Sequence, residues 1–172
     1  MPGSPVEQAL LPHLDAAYNL ARWLTGNDHD AEDVVQDAFV RALRFFGGFR
    51  GDDARAWLLA IVRNTSYDFL RRRRPQQASD PFDEEVHGAP DERPSPEAEL
   101  LRRADQALVR QALESLPLAW REVIVLRELE GLSYKQIADV AGIQIGTVMS
   151  RLARARARLK QLLAGGAPQE AP

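Results

Sequence analysis

The sequence predicts an all-α protein built as two small helical domains joined by a flexible acidic linker. Three observations carry this. Apolar residues recur at three- and four-residue intervals over most of the 172 positions. Between Pro75 and Glu97 that periodicity stops, and five prolines stand among acids and small polar residues. The last third then spells a capped helix, a glycine turn and a second helix carrying arginines. The expected layout is a first domain over 1–74, a linker over 75–98, a second domain over 99–163 and a disordered tail over 164–172.

In the first domain Pro12 suits the opening turn of a helix from about His13 to Leu24, with Leu14, Ala17, Leu20, Ala21 and Leu24 on one face and Gly26 as its stop. A second helix begins after Asn27 and Asp28. Its inner stripe is Val34, Val35, Ala38, Ala42 and Phe45, which leaves Asp33, Gln36, Asp37 and Arg41 outside. Glycines make Gly47 to Asp53 a loop, and Asp52 or Asp53 can cap a third helix reaching Arg74. There Trp57, Leu58, Ile61, Val62, Thr65 and Phe69 point inward, while Arg55, Arg63, Asn64, Tyr67, Asp68 and Arg71 to Arg74 are expected at the surface.

Periodicity resumes near Ala98 through Leu101, Leu108, Ala112 and Leu116, and Pro117 opens a further helix with Val123, Ile124 and Leu126 that Gly131 ends. Ser133 can cap the next helix while Gln136 reaches back to the Ser133 amide, and Leu132 can pack against Ile137. Ala138 allows a close helix crossing, Gly142 supplies the positive φ of a tight turn, and Val148 faces back toward the first helix. This is the helix-turn-helix pattern. Along its second helix Val148, Leu152, Ala155, Leu159 and Leu162 form the apolar stripe. Thr147, Ser150, Arg151, Arg154 and Arg158 share the other face, an order suited to a helix entering a major groove end-on.

Charge agrees once it is counted by segment. The net −3 hides ten Arg against ten acids over 1–74, one Arg against eight acids over 75–99, and eleven cations against seven acids over 100–172. The helix-turn-helix segment is therefore basic. With no cysteine there is no disulfide framework and no thiolate metal site. No segment reads as a signal peptide or a membrane span, so the expected location is cytoplasmic. Twenty Arg against two Lys suit a GC-rich genome.

The parts and their order resemble the bacterial extracytoplasmic-function (ECF, group 4) sigma factors of the sigma-70 family, the compact class with only domains 2 and 4. The motifs that carry the resemblance run from Asp30 to Phe39, Phe49 to Leu58, Arg63 to Arg73, Leu113 to Pro117, Leu132 to Ala138 and Gly146 to Leu152. It implies that Asp33, Gln36, Asp37 and Phe39 dock on the β′ clamp coiled coil of core RNA polymerase, with the β flap as a second contact. It further implies that the loop Phe49 to Asp53, with Arg50 and Asp52, captures a base flipped from the minus-10 element, and that Asn64, Asp68, Arg71 and Arg72 lie along adjoining DNA. Thr147, Ser150, Arg151, Arg154 and Arg158 fall on the helix that reads the minus-35 element. Met149 and Gln144 depart from the commonest family choices, a basic residue and a proline. An anti-sigma factor is the expected protein partner, and no cofactor, metal or catalytic residue is implied.

Two other classes fit less of the chain. A regulator that binds DNA unaided explains residues 100–163 only, and residues 1–74 lack the strand alternation of a receiver domain. The dipeptide His29-Asp30 hints at a metal-dependent phosphohydrolase, but His13 and His87 are the only other histidines, so a multi-histidine centre has no obvious partners.

Overall fold

The computed structural model describes residues 3–73 and 98–166, which form eight α-helices with no strand among them. Arg74, residues 75–97 of the segment 75–98 expected as linker and residues 167–172 lie outside the described residues, and Ala98, the last residue of that segment, instead opens a helix. Helix α1 (Pro5–Leu10) was not anticipated. Ser4 Oγ accepts from the Glu7 amide at 3.3 Å and Glu7 Oε1 accepts from the Ser4 amide at 3.0 Å, with Pro5 in the first turn. A single 3-10 turn, Leu11–His13, leads into α2 (Leu14–Thr25), which ends on Gly26 at φ 94°.

Asn27 caps α3 (Asp28–Phe45) through the Asp30 amide at 2.8 Å, and Asp28 is held by Tyr18 and Arg22 of α2 at 3.0 and 2.8 Å. Ala31, Val34, Ala38 and Ala42 form its buried stripe. Two residues expected inside are not. Leu14 is exposed at the edge of the α2 stripe, where it lines a groove between α2 and α3, and Phe45, at the last position of α3, is 58% exposed.

Asp53, rather than Asp52, caps α4 (Ala54–Arg73), accepting from the Ala56 amide at 3.0 Å. Helix α4 packs against α2 and α3 on one side and, on the other, against a helix of the C-terminal half. Its second covered side explains why Leu59 and Ser66 are buried although the stripe of Trp57, Leu58, Ile61 and Val62 does not contain them. The buried hydroxyls of Thr65 and Ser66 donate to the Ile61 and Val62 carbonyls at 2.7 and 2.8 Å, so neither is left unpaired.

The C-terminal half comprises α5 (Ala98–Glu114), α6 (Leu118–Ile124), α7 (Tyr134–Ala141) and α8 (Ile145–Gly166). Helix α6 widens into a π turn over Val125–Leu129, where the Glu130 amide reaches the Val125 carbonyl at 3.1 Å and the Leu132 amide reaches Leu126 at 3.0 Å. Arg127 secures the exit by donating to the Leu132 carbonyl at 2.8 Å, with its guanidinium 4.7 Å from the Tyr134 ring centre. The capping box of α7 forms as the sequence predicts. Ser133 Oγ accepts from Gln136 N at 3.1 Å, Gln136 Oε1 accepts from Ser133 N at 2.8 Å, and Leu132 and Ile137 are both buried. Gly142 ends α7 at φ 70°. Helix α8 runs three residues into the segment expected as a tail, ending at Gly166.

The buried residues of both halves form one contiguous core, with α4 as a shared wall. Among the described residues no helix is long and apolar enough to cross a membrane.

Candidate nucleic-acid interface

Val148, Leu152 and Ala155 are buried and fix how α8 is turned. Its most outward line is then Gly146, Ser150, Ala153, Arg154 and Ala157, all exposed. Three of these five side chains are hydrogen or methyl, so the helix backbone can approach a groove floor closely while Ser150 and Arg154 supply the polar reach. Thr147 and Arg151 lie half-buried along one flank. Arg158 shares that flank, and its guanidinium sits 5.9 Å from the Trp120 ring centre, so it leans on the domain instead of pointing straight out. On the opposite flank Met149 is 52% exposed, and Arg156 pairs with Glu128 at 2.8 Å. Met149 has no donor for a base edge, but its thioether chain can meet a thymine methyl.

In the N-terminal half the loop following α3 is backed by three aromatic rings. Phe46 and Phe49 stack at 5.7 Å, and Trp57 stands 5.9 and 5.2 Å from them. Sequence reasoning placed Trp57 in the core but missed this trio; the signal was the run Phe45-Phe46 and Phe49 followed one helical start later by Trp57. Arg50 and Asp52 are exposed on the loop. Beyond it Asn64 is exposed, and Asp68 ties together Arg41 at 3.1 Å and Arg71, which also hydrogen-bonds it. Asp68 therefore positions two guanidiniums as well as facing outward. Arg71 and Arg72 are exposed, and Arg73 lies 3.6 Å from Asp30 and 5.2 Å from the Phe69 ring.

On α3, Asp33 and Gln36 are exposed, while Asp37 is half-buried and meets Arg41 at 3.5 Å. His29, the metal-site candidate, lies 3.8 Å from Asp33. Phe39 is half-buried against the core. What the sequence reading did not single out is an apolar extension of this face: Val40 and Leu43 are 53% and 52% exposed, and with Gln36 they follow an i, i+4, i+7 spacing. A groove of about 600 Å³ between α2 and α3 runs beside Gln36, lined among others by Tyr18, Glu32 and Val35.

The two halves meet along α4 through polar contacts of Asp53, Arg55, Arg63 and Tyr67, three of which, Arg55, Arg63 and Tyr67, were expected at the surface. Gln136 Nε2 donates to Asp53 Oδ2 at 2.8 Å, and Arg55 donates to the Glu130 carbonyl. Arg63 donates from Nε to Glu122 Oε2 at 2.6 Å, and the Tyr67 hydroxyl donates to Glu122 Oε1 at 2.6 Å, with the Arg63 guanidinium 3.9 Å over the Tyr67 ring. Glu122 is fully buried. Burial, together with the Glu122 charge it faces, holds the Tyr67 phenol well above its ordinary 10.0. The Ala56 amide and then the Gln136 amide hold the Asp53 carboxyl below its ordinary 3.8. Arg121 adds a further link, donating to the Trp23 carbonyl at 3.0 Å while also closing the end of α5 through Leu113, Glu114 and Leu116 carbonyls.

Comparison with known proteins agrees with this division. Residues 10–76 match the Sigma-70 region 2 family and residues 106–159 match Sigma-70, region 4. The chain is 36% identical over 158 residues to the ECF RNA polymerase sigma factor SigE of Mycolicibacterium smegmatis, covering 92% of this chain and 61% of that one. It is 43% identical over 142 residues to the RNA polymerase sigma-H factor of Pseudomonas aeruginosa, covering 78% of this chain and 73% of the relative. Among solved structures it resembles the sigma factor RpoE of Bartonella quintana, in complex with the anti-sigma factor NepR, at a TM-score of 0.70 and 34% identity, covering 92% of this chain and 96% of that one. A chain carrying these two regions in this order is of the sigma-70 class. It is also 42% identical over 134 residues to the ECF RNA polymerase sigma-E factor of Escherichia coli (strain K12), covering 74% of this chain and 70% of that one, and it belongs to the extracytoplasmic-function sigma factors of that family.

Proposed function

We propose that this chain is a promoter-specificity subunit, which binds core RNA polymerase, recognises two promoter elements and assists DNA opening at the start of transcription of a stress- or signal-responsive regulon. The observation that carries this reading beyond DNA binding is the stripe Gln36, Val40 and Leu43 on α3, which is exposed among the described residues. A stand-alone DNA reader has no use for exposed valine and leucine beside acidic residues, whereas a docking helix does. In this reading Asp33, Gln36, Asp37 and Phe39 engage the β′ clamp coiled coil, joined by Val40 and Leu43, and the region 4 half meets the β flap.

The loop from Phe49 to Asp53, with Arg50 and Asp52, receives an extruded base against the aromatic rings behind it. Asn64, Asp68, Arg71 and Arg72 follow the adjoining strand, while Thr147, Ser150, Arg151, Arg154 and Arg158 serve the minus-35 element, with Met149 contacting a methyl group. No residue is assigned bond chemistry. The likeness to a sigma factor bound to an anti-sigma factor supports a regulatory protein partner for this chain too.

Run-off transcription with core enzyme tests the reading, and sequencing the start sites identifies both elements. Arg151→Ala with Arg154→Ala is expected to abolish transcription from the cognate promoter while leaving polymerase binding intact. Retardation of promoter DNA by the purified chain alone, as strong as with polymerase, would refute it.

A further inference from the structure

Glu122 is the single charged residue with no exposure among those described, and it is buried between the two halves and not inside one of them. Its carboxylate takes Arg63 Nε at 2.6 Å, Arg63 Nη2 at 3.4 Å and the Tyr67 hydroxyl at 2.6 Å. A two-pronged guanidinium stacked on a phenol ring, both donating to one anion, is equally the geometry that holds a phosphate. The third nitrogen of Arg63, Nη1, donates to Asn64 Oδ1 at 3.2 Å, so the same guanidinium borders the exposed α4 face assigned above to promoter DNA.

We propose that Glu122 is an internal competitor for promoter DNA: closing residues 118–159 onto α4 puts its carboxylate where a backbone phosphate binds, and Arg63 and Tyr67 become phosphate ligands only when the halves part. The contacts suit a reversible latch. A buried ion pair gains strong attraction but loses the hydration of both charges, so it fixes the register of closure more than it tightens it. Gln136 to Asp53 and Arg55 to the Glu130 carbonyl set the other end of the seam. Opening returns Glu122 and Arg63 to solvent, and a nucleic acid phosphate can then replace the carboxylate on Arg63.

This inference rests on the promoter-binding reading, and the test separates the two. The chain contains no cysteine, so Asp15→Cys and Lys160→Cys, both exposed, accept a donor–acceptor dye pair on α2 and α8. The labelled full-length chain is compared with its Glu122→Gln form for transfer efficiency and for affinity toward a single-stranded oligonucleotide carrying the minus-10 element found by start-site mapping. Loss of transfer is expected in Glu122→Gln, with DNA affinity raised roughly five- to thirtyfold and a salt slope steeper by about 0.7, the value for one added single-strand phosphate contact. Adding Arg63→Gln should cancel the gain.

Glu128→Gln removes an equal charge from an exposed site and should leave both readouts unchanged. Arg55→Gln removes the bond to the Glu130 carbonyl and so loosens the seam without touching the C-terminal half or either phosphate ligand; lost transfer with raised affinity there decides the matter should Glu122→Gln lose helicity. Wild-type transfer and affinity in Glu122→Gln, or the same gain from Glu128→Gln, would overturn the latch. Run-off transcription by the unmodified chain tests the promoter reading on its own, whatever the latch variants do.

Discussion

The Gln136 side-chain amide donates to Asp53 Oδ2 at 2.8 Å, so one hydrogen bond joins the cap of α7 to the cap of α4. Each residue first serves its own helix. Only the spare half of each side group is used between the halves.

Gln136→Glu separates those duties. Glutamate closes a capping box as well as glutamine does, because its carboxylate still accepts from the Ser133 amide. It can no longer donate to Asp53, and two carboxylates would face each other. The expected result is a C-terminal half whose unfolding free energy changes by less than about 0.5 kcal/mol, together with a larger radius of gyration by small-angle X-ray scattering. An unchanged radius would show that this bond does not hold the seam.

Tyr67 gives the seam an alkaline limit. Burial comes first among the causes that raise its pKa, followed by the charge and hydrogen bond of Glu122, so the folded value lies above the ordinary 10.0. Stability from this group is therefore complete below pH 10.0 and is lost as pH rises through the folded value. Phenolate absorbance should show Tyr67 titrating late in the native chain, its step identified by its loss in Tyr67→Phe because desolvation and the Asp28 hydrogen bond raise Tyr18 too. In Glu122→Gln that step should move down toward 10.0, and an identical titration would detach Tyr67 from Glu122.

The small outward residues of α8 predict a steric effect. Ala153→Leu keeps a good helix former at an exposed position, so the melting temperature should hold. The added isobutyl group stands between Ser150 and Arg154 on one side and Ala157 on the other. Transcription from the cognate promoter should fall at least tenfold, equivalent to about 1.4 kcal/mol of lost binding, while affinity for core polymerase is kept. Full transcription by this variant would mean that α8 does not approach a groove through this line.

Val40→Glu with Leu43→Glu addresses the other surface. Both positions are exposed, so folding should change by no more than about 0.5 kcal/mol each. Affinity for core polymerase, measured by fluorescence anisotropy, should drop by at least tenfold, about 1.4 kcal/mol. Retained affinity would remove Val40 and Leu43 from the docking face.

How much of this could be read from sequence depended on how local each cause is. The α7 cap was legible because Ser133 and Gln136 are three residues apart and their chemistry is self-contained. Ser4 and Glu7 offer the same signal for α1, but a helix of six residues is too short for an apolar periodicity to mark it in the sequence. The α3 stripe was carried one turn too far at Phe45: periodicity gives the direction of a side chain but not where the neighbouring helices end. The α8 face was legible in residue type, yet Arg158 leans on Trp120, a residue 38 positions earlier.

Glu122 was beyond reach altogether. A glutamate between arginine and valine reads as a surface residue, and its partners Arg63 and Tyr67 are 59 and 55 positions away. The same distance hid the second covered side of α4, since helical spacing revealed one apolar stripe and nothing announced that a second body packs on the other.

Two-sided burial of α4 also bears on how long the chain survives in a cell. Whenever the halves part, the stripe that includes Leu59 loses its cover, and the peptide bonds around it become reachable by proteases and chaperones. Turnover should therefore be fastest for molecules caught between the closed form and a partner, so the lifetime of the chain is set by how quickly that bare helix is covered again.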